Sequence, residues 1–144
     1  MNVTIRSAVP DDAAAIRKLN LEAMGYDYPL DDTVSQLQKL LRSKQDRIFV
    51  AVAEHTVIGY IHACGYDLTY GPHLKNIMGI AVSAPFRRKG VGETLLREVE
   101  QWAKQEGASG IRLVSGAQRL DAHAFYHKCG YGGDKTQLNL KKMF

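Results

Sequence analysis

The chain has 144 residues with 45% hydrophobic and 24% charged side chains and a formal net charge of +4, the balance of one compact folded domain. No apolar run approaches the roughly 20 residues that span a bilayer. The start, MNVTIRSAVPDD, shows no charged head followed by an apolar stretch, and Cys64 and Cys129 lack the C-x-x-C spacing of a zinc ribbon. A cytoplasmic protein with two free thiols and no membrane partner is expected.

Val3–Ala8 alternates apolar and polar residues, as a strand does. Pro10 and Asp11 then suit a helix start, and Ala15, Ile16, Leu19 and Ala23 recur at helical spacing. Gly25 and Pro29 mark a loop, Asp32 is placed to cap a second helix, and Val34, Leu37, Leu40 and Leu41 form its apolar stripe. The runs RIFVAVAE and TVIGYIHACGY, joined by a short link, read as a β-hairpin. Leu74–Val82 reads as a central strand and Pro85 ends it. From about Val91 to Glu106 a helix carries Val91, Leu95, Leu96, Val99, Trp102 and Ala103 on one face. IRLVSG is a further strand, DAHAFYHKCG a short helix ending at Gly130, and TQLNLKKM alternates as a closing strand. The order β-α-α-β-β-β-α-β-α-β predicts an α/β fold of the mixed-sheet α+β kind, one domain over residues 1–144.

The charge is unevenly spread. Residues 1–72 hold 7 basic and 9 acidic groups, whereas residues 73–144 hold 12 basic and 6 acidic groups. A positive half attracts anions without choosing among them. The choice comes from the stretch APFRRKGVGETLL, Ala84–Leu96. The first four N–H groups of a helix lack intrahelical partners and form an anion site. Gly90 and Gly92 keep side chains away from that spot, and Arg87, Arg88 and Lys89 add full charges beside it. The Walker pattern G-x-x-x-x-G-K-S/T and the dinucleotide pattern G-x-G-x-x-G are both absent. A nucleic-acid role is not expected, because the cations sit in a phosphate-type loop without interleaved aromatics.

The six residues Arg87-Arg88-Lys89-Gly90-Val91-Gly92 fit R/Q-x-x-G-x-G/A after an apolar strand and before an amphipathic helix. DAHAFYHKCGY fits A-x-x-F-Y-x-x-x-G-F/Y through Ala122, Phe125, Tyr126, Gly130 and Tyr131. With both motifs in this order, the chain resembles the GNAT superfamily of N-acetyltransferases over essentially its whole length. The resemblance implies acetyl-CoA as co-substrate and an amine as acceptor, with direct attack in a ternary complex. It implies that Arg87, Arg88, Lys89, Gly90, Val91, Gly92 and Glu93 hold the coenzyme's diphosphate. Backbone at Ile80, Ala81 and Val82 would pair with the pantetheine arm, with Phe125 also on the coenzyme. Tyr126 corresponds to the family's general acid. Its reference pKa of about 10, against about 8.5 for a thiol, makes full proton transfer uphill by roughly 2 kcal/mol.

The resemblance fails at the base. Many family members carry a glutamate on the strand before the phosphate loop, and here that region holds Met78 and Gly79. An alkylammonium with a pKa near 10.4 is neutral at pH 7 only to the order of 10⁻³, a deficit of about 4–5 kcal/mol. Groups able to take the proton are His73, just before that strand, and His62, Tyr66 and Asp67. The acceptor would meet Tyr26, Asp27, Tyr28, Tyr66 and Asp67, where carboxylates and rings suit a cation. His123 and His127 stand at i, i+4 without a third ligand, so no metal is expected. Without the glutamate, a non-catalytic acyl-CoA-binding module is the alternative. The closing strand also offers an edge on which two copies could pair as a homodimer.

Overall fold

The computed structural model describes residues 2–144, which divide into two units, residues 2–113 and 114–144. The first unit holds strand β1 (Thr4–Ser7), helices α1 (Ala13–Met24) and α2 (Leu30–Arg42), strands β2 (Asp46–Ala53), β3 (Thr56–Tyr66) and β4 (Leu74–Val82), helix α3 (Val91–Gln105) and strand β5 (Ile111–Leu113). The strands lie side by side in chain order. The first three pairings are antiparallel, and β5 joins β4 in parallel. The crossover through α3 is what a parallel pairing requires.

Pro10–Asp12 makes a single 3-10 turn into α1. The Asp12 carboxylate accepts the Val9 N–H at 2.8 Å and receives the Arg6 guanidinium at 2.8 and 2.9 Å. Arg6 and the Val9 amide hold the carboxyl of buried Asp12 below its usual range, against the cost of burial. A depressed carboxyl stabilises the fold above its unfolded value of about 3.9 and loses that contribution as pH falls through its folded value. Asp12→Asn should therefore lower the melting temperature at neutral pH. Acidification from pH 5 towards 2 should close the gap to wild type. A gap that stays constant over this range would exclude the linkage.

Alternation along the strands builds a core on each sheet face. Ile48, Val50, Tyr60 and Ala81 pack with Ile16 and Leu19 of α1 and Leu37 of α2. The opposite face meets α3, whose buried residues are the six that the helical spacing predicts: Val91, Leu95, Leu96, Val99, Trp102 and Ala103. The hairpin between β2 and β3 turns on Glu54 and His55, both at positive φ (50° and 65°). That backbone matches the twist of the flanking strands. The second helix begins at Leu30, before Asp32, and Thr33 Oγ1 donates to the Pro29 carbonyl at 3.0 Å. β4 is not apolar throughout. Lys75 is buried on the α3 face, its ammonium 4.3 Å from the centre of the Trp102 ring and 3.9 Å from Glu106. Cation–π attraction and an ion pair offset its desolvation.

The second unit contains helix α4 (Leu120–Lys128), and the chain from Cys129 to Phe144 forms no helix or strand. The closing strand expected over TQLNLKKM is thus not formed. Alternation supplies a face, but a strand also needs a neighbour for its N–H and C=O groups. Leu138 and Leu140 stand 84% and 82% exposed, so no core claims the apolar side. The expected sheet of six strands has five. Among the described residues neither cysteine forms a disulfide, and no helix is long and apolar enough to cross a membrane.

Candidate active site

Pairing between β4 and β5 covers only Lys75↔Ile111, Asn76↔Arg112 and Ile77↔Leu113. β4 then runs on to Val82, and no strand among the described residues pairs with Met78–Val82 on that side. Its N–H and C=O groups there form an open ladder edge, suited to a ligand that carries amides. Ile80, Ala81 and Val82 lie on this edge.

The phosphate-type loop follows at once. Arg87 folds back, its Nε donating to the Val82 carbonyl at 3.0 Å, which fixes the corner where strand becomes loop. Arg88 and Gly90 both take positive φ, 62° and 83°, with Lys89 between them. Such alternation turns successive amides towards one concavity. The left-handed Gly90 caps α3, and the first helical bond comes from the Thr94 N–H to the Gly90 carbonyl at 3.0 Å. The N–H groups of Val91, Gly92 and Glu93 precede that bond, as the orphan donors of a helix start do. A Cβ on Gly90 would meet nothing within 4 Å, so the space in front of the loop is open. Gly92 is not at positive φ; the two glycines differ, one making the turn and one keeping the first helical turn bare. Glu93 turns its carboxylate to Arg97 at 3.2 Å, which leaves its backbone N–H as its contribution to an anion site. The Lys89 ammonium lies 5.8 Å from the Phe86 ring centre.

A polar row crosses the sheet on the α1–α2 face. Register aligns Asp46, Cys64, Asn76 and Arg112 on four successive strands. Arg112 Nη1 donates to Asn76 Oδ1 at 2.6 Å, and its guanidinium stacks 4.3 Å from the Tyr66 ring centre. Burial, and then the Asp46 charge, push the Cys64 thiol up, so it stays protonated. His62 Nε2 and Asp46 Oδ1 are 2.7 Å apart, with side chains only 15% and 16% exposed. Across the next strand His62 faces Gly79, where a register shift lets β4 bulge at Met78. Met78 itself is exposed and its sulfur accepts from Asn76 Nδ2 at 3.0 Å. Tyr60 donates its hydroxyl to Asn20 Oδ1 of α1. Burial pushes the Tyr60 phenol up to about 12, and its proton is not available near neutral pH.

His73 Nδ1 bonds Asp67 at 2.7 Å, but its Cε1 lies 3.8 Å from where a Gly65 Cβ would stand. That is the face of Ala63 and Trp102, opposite His62 and Asn76. It is also six residues from Gly79 along β4, about 20 Å at a strand's rise. His73 and Asp67 therefore satisfy each other away from the bulge. Asp27 receives Arg17 Nη2 at 2.8 Å while Arg17 Nε donates to the Tyr28 carbonyl, so the loop after α1 is tied to that helix. Tyr26 and Tyr28 are exposed on this loop, and Tyr26 is close enough to Tyr60 to add to the rise in its pKa. Spacing in the sequence does not show Asp46, Asn76 or Arg112, because each meets its partner across strands; only the register brings them together.

In the second unit, Phe125 and Tyr126 are neighbours on α4 with ring centres 5.3 Å apart. Burial raises the Tyr126 phenol, an effect that the nearby positive charge of Arg119 opposes. Tyr126 thus holds its proton, as an acid must. His123 Nε2 bonds the Gly116 carbonyl at 2.8 Å, and no cluster of metal-ligand type occurs among the described residues.

The profile of the acetyltransferase (GNAT) family matches residues 13–131. The chain belongs to this family. The acetyltransferase is 29% identical over 133 residues to the aminoglycoside N(6')-acetyltransferase type 1 of Stenotrophomonas maltophilia, covering 89% of this chain and 85% of that protein. It is 36% identical over 101 residues to the uncharacterized N-acetyltransferase YhdJ of Bacillus subtilis, covering 66% and 69%. Among solved structures, that of a transcriptional regulator from Bacillus halodurans superposes with a TM-score of 0.89 at 24% identity, covering 98% of this chain and all (100%) of that one. The aminoglycoside acetyltransferase AAC(6')-Iy, in complex with the bisubstrate analogue CoA-S-monomethyl-acetylneamine, superposes with a TM-score of 0.88 at 18% identity, covering 100% of both chains. At these identities the structural likeness speaks for the fold alone.

Proposed function

We propose that this acetyltransferase moves an acetyl group from acetyl-CoA to a primary amine of a small molecule or peptide by direct attack in a ternary complex. One observation carries the reading: an open β4 edge, Met78–Val82, leads straight into a loop with two left-handed residues, Arg88 and Gly90, the second facing open space at a helix start. Amides at Ile80, Ala81 and Val82 suit the pantetheine arm. Amides of Val91, Gly92 and Glu93, with Arg88 and Lys89, suit the linked phosphates. Arg87 contributes by fixing the corner, and Phe125 of the second motif packs on the coenzyme. Acetyl-CoA supplies an activated acyl group, and the protein supplies its alignment with the amine. Tyr126, held protonated by burial, serves as the acid for the departing thiolate. The family profile runs through both units, which supports reading residues 1–144 as one N-acetyltransferase domain.

The test is calorimetric titration with CoA, followed by thiol release from acetyl-CoA against a panel of primary amines. Saturable binding with amine-dependent release is expected. No heat with CoA would remove the reading.

Tyr26, Asp27, Tyr28 and Tyr66 remain the proposed acceptor surface, while Asp67 leaves it, being engaged by His73 away from the bulge. Asp27 acts through Arg17 by holding the loop that presents Tyr26 and Tyr28. An exposed ion pair contributes about 0–1 kcal/mol, so Arg17→Ala and Asp27→Ala should each raise the amine KM by up to about fivefold. The double variant should do no more than either single change, and CoA affinity should stay unchanged. Additive effects would mean instead that Asp27 meets the amine itself.

A further inference from the structure

We infer that His62, oriented by Asp46, is the group that takes the proton from the acceptor ammonium. The inference rests on the acetyltransferase reading and names the base that the sequence leaves open at Met78 and Gly79. Three strands carry it. His62 on β3 is the direct cross-strand partner of Gly79 on β4 and the diagonal neighbour of Asp46 on β2. One side of the imidazole therefore has a carboxylate and the other a residue without a side chain, above which the nearest group is Tyr60 Oη, 3.4 Å from where a Gly79 Cβ would stand. Asp46 fixes Nε2 as the protonated nitrogen through the 2.7 Å contact. That tautomer leaves Nδ1 as the acceptor, and no protein group among the described residues bonds it. Gly79 immediately precedes Ile80, where the open edge would receive the pantetheine arm. The bulge at Met78 keeps the methionine side chain off the position facing His62. His73 has a carboxylate partner too, but lies on the opposite face.

The step balances. The ammonium gives one proton to His62 Nδ1, and the imidazolium is held by the Asp46 carboxylate. The neutral amine forms the C–N bond to the thioester carbonyl carbon and the C–S bond breaks. The second amine proton passes to the sulfur, through Tyr126, and His62 releases its own proton to water. Amine deprotonation is the part of the barrier that an imidazole near neutral pH can lower.

The charged and titratable groups around this pair are Arg42 and Lys44 at and just after the end of α2 (both line one cavity with Asp46), Tyr60, Cys64 and Tyr66 from β3, Arg112 from β5, and Tyr26 from the loop after α1; Asn20 of α1 is neutral. Tyr60 and Cys64 are both raised by burial, so neither competes for the role. Lys75 lies on the other face.

The experiment compares wild type, His62→Gln and Asp46→Asn, with neamine, spermidine and tyramine as amine probes. Circular dichroism and CoA titration serve as controls for the fold and the coenzyme site. His62→Gln is expected to lower kcat/KM at neutral pH by about 10- to 100-fold and to abolish the acidic limb of its pH profile. Asp46→Asn keeps an acceptor for Nε2 but removes the charge that stabilises the imidazolium. It is expected to cost roughly tenfold in kcat/KM. A merely structural pair would change the melting temperature and leave the shape of the profile alone. If the folded variants bind CoA and keep the wild-type profile, the inference is overturned while the acetyltransferase reading stands. A wild-type chain that binds CoA yet acetylates none of the probes overturns the inference as well, and one that binds no CoA removes both.

Discussion

Tyr126→Phe should lower kcat by about 10³-fold, within the range that a positioned acid supplies, while leaving CoA affinity within about twofold of wild type. The substitution deletes one hydroxyl. It keeps the ring that packs beside Phe125 and stands edge-on to Tyr131 at 6.2 Å, so the local fold should survive. The loss should depend on the leaving group. A thiolate that is already stable in water needs no proton, so an acyl donor with a more acidic thiol should recover much of the rate. The raised phenol also places the alkaline limb of the kcat profile, if Tyr126 supplies it, above the ordinary tyrosine range. Stopped acyl transfer at several pH values, with acetyl-CoA and with such an activated thioester, reads both effects. A uniform loss across donors would assign Tyr126 to packing and not to proton delivery.

Gly90→Val should weaken CoA binding by about 10²-fold or more. Two causes add. A β-branched residue at φ 83° is a genuine backbone outlier, costing on the order of 1–3 kcal/mol, which the loop relieves by moving its amides. The new side chain also fills the open space in front of the helix start, where the phosphates would come. Gly107 supplies the control, since it too has positive φ (75°) and open space around its Cβ position, but follows the far end of α3. Gly107→Val should cost comparable stability and leave the coenzyme affinity alone. Titration calorimetry of the two variants, each with its melting temperature, separates strain from obstruction. Equal loss of affinity in both would show that the Gly90 site has no special part in binding.

The glycine-rich loop and α3 are legible in the sequence because their signals are local. Glycine spacing, consecutive cations and a helical stripe lie within one stretch, and the six predicted core residues of α3 are its six buried ones. The antiparallel strands and their hairpin are legible for the same reason. What is hidden depends on neighbours in space. Lys75 sits buried in a mainly apolar strand because Trp102 and Glu106 meet it there. Asp46 is only one acidic residue before a strand until the register sets it opposite Cys64 and diagonally beside His62. His73 looks better placed for proton transfer because it precedes the β4 strand, but alternation sends its ring to the α3 face. TQLNLKKM misleads in the other direction: period-two patterning says which side would be buried without saying that anything buries it.

The irregularity at Met78 acts as a vernier on the last third of β4. Were the bulge flattened, with every residue kept and Ile77 still opposite Ala63, Met78 would stand against His62 and Ile80 against Tyr60, where Gly79 and Ala81 stand now. Two bulky side chains would crowd the helix side, and the donors and acceptors along the free edge would exchange places with those that hold β3. A single inserted position therefore sets both the clearance beside the imidazole and the phase in which the exposed backbone presents its polar groups, and neither can be retuned without the other.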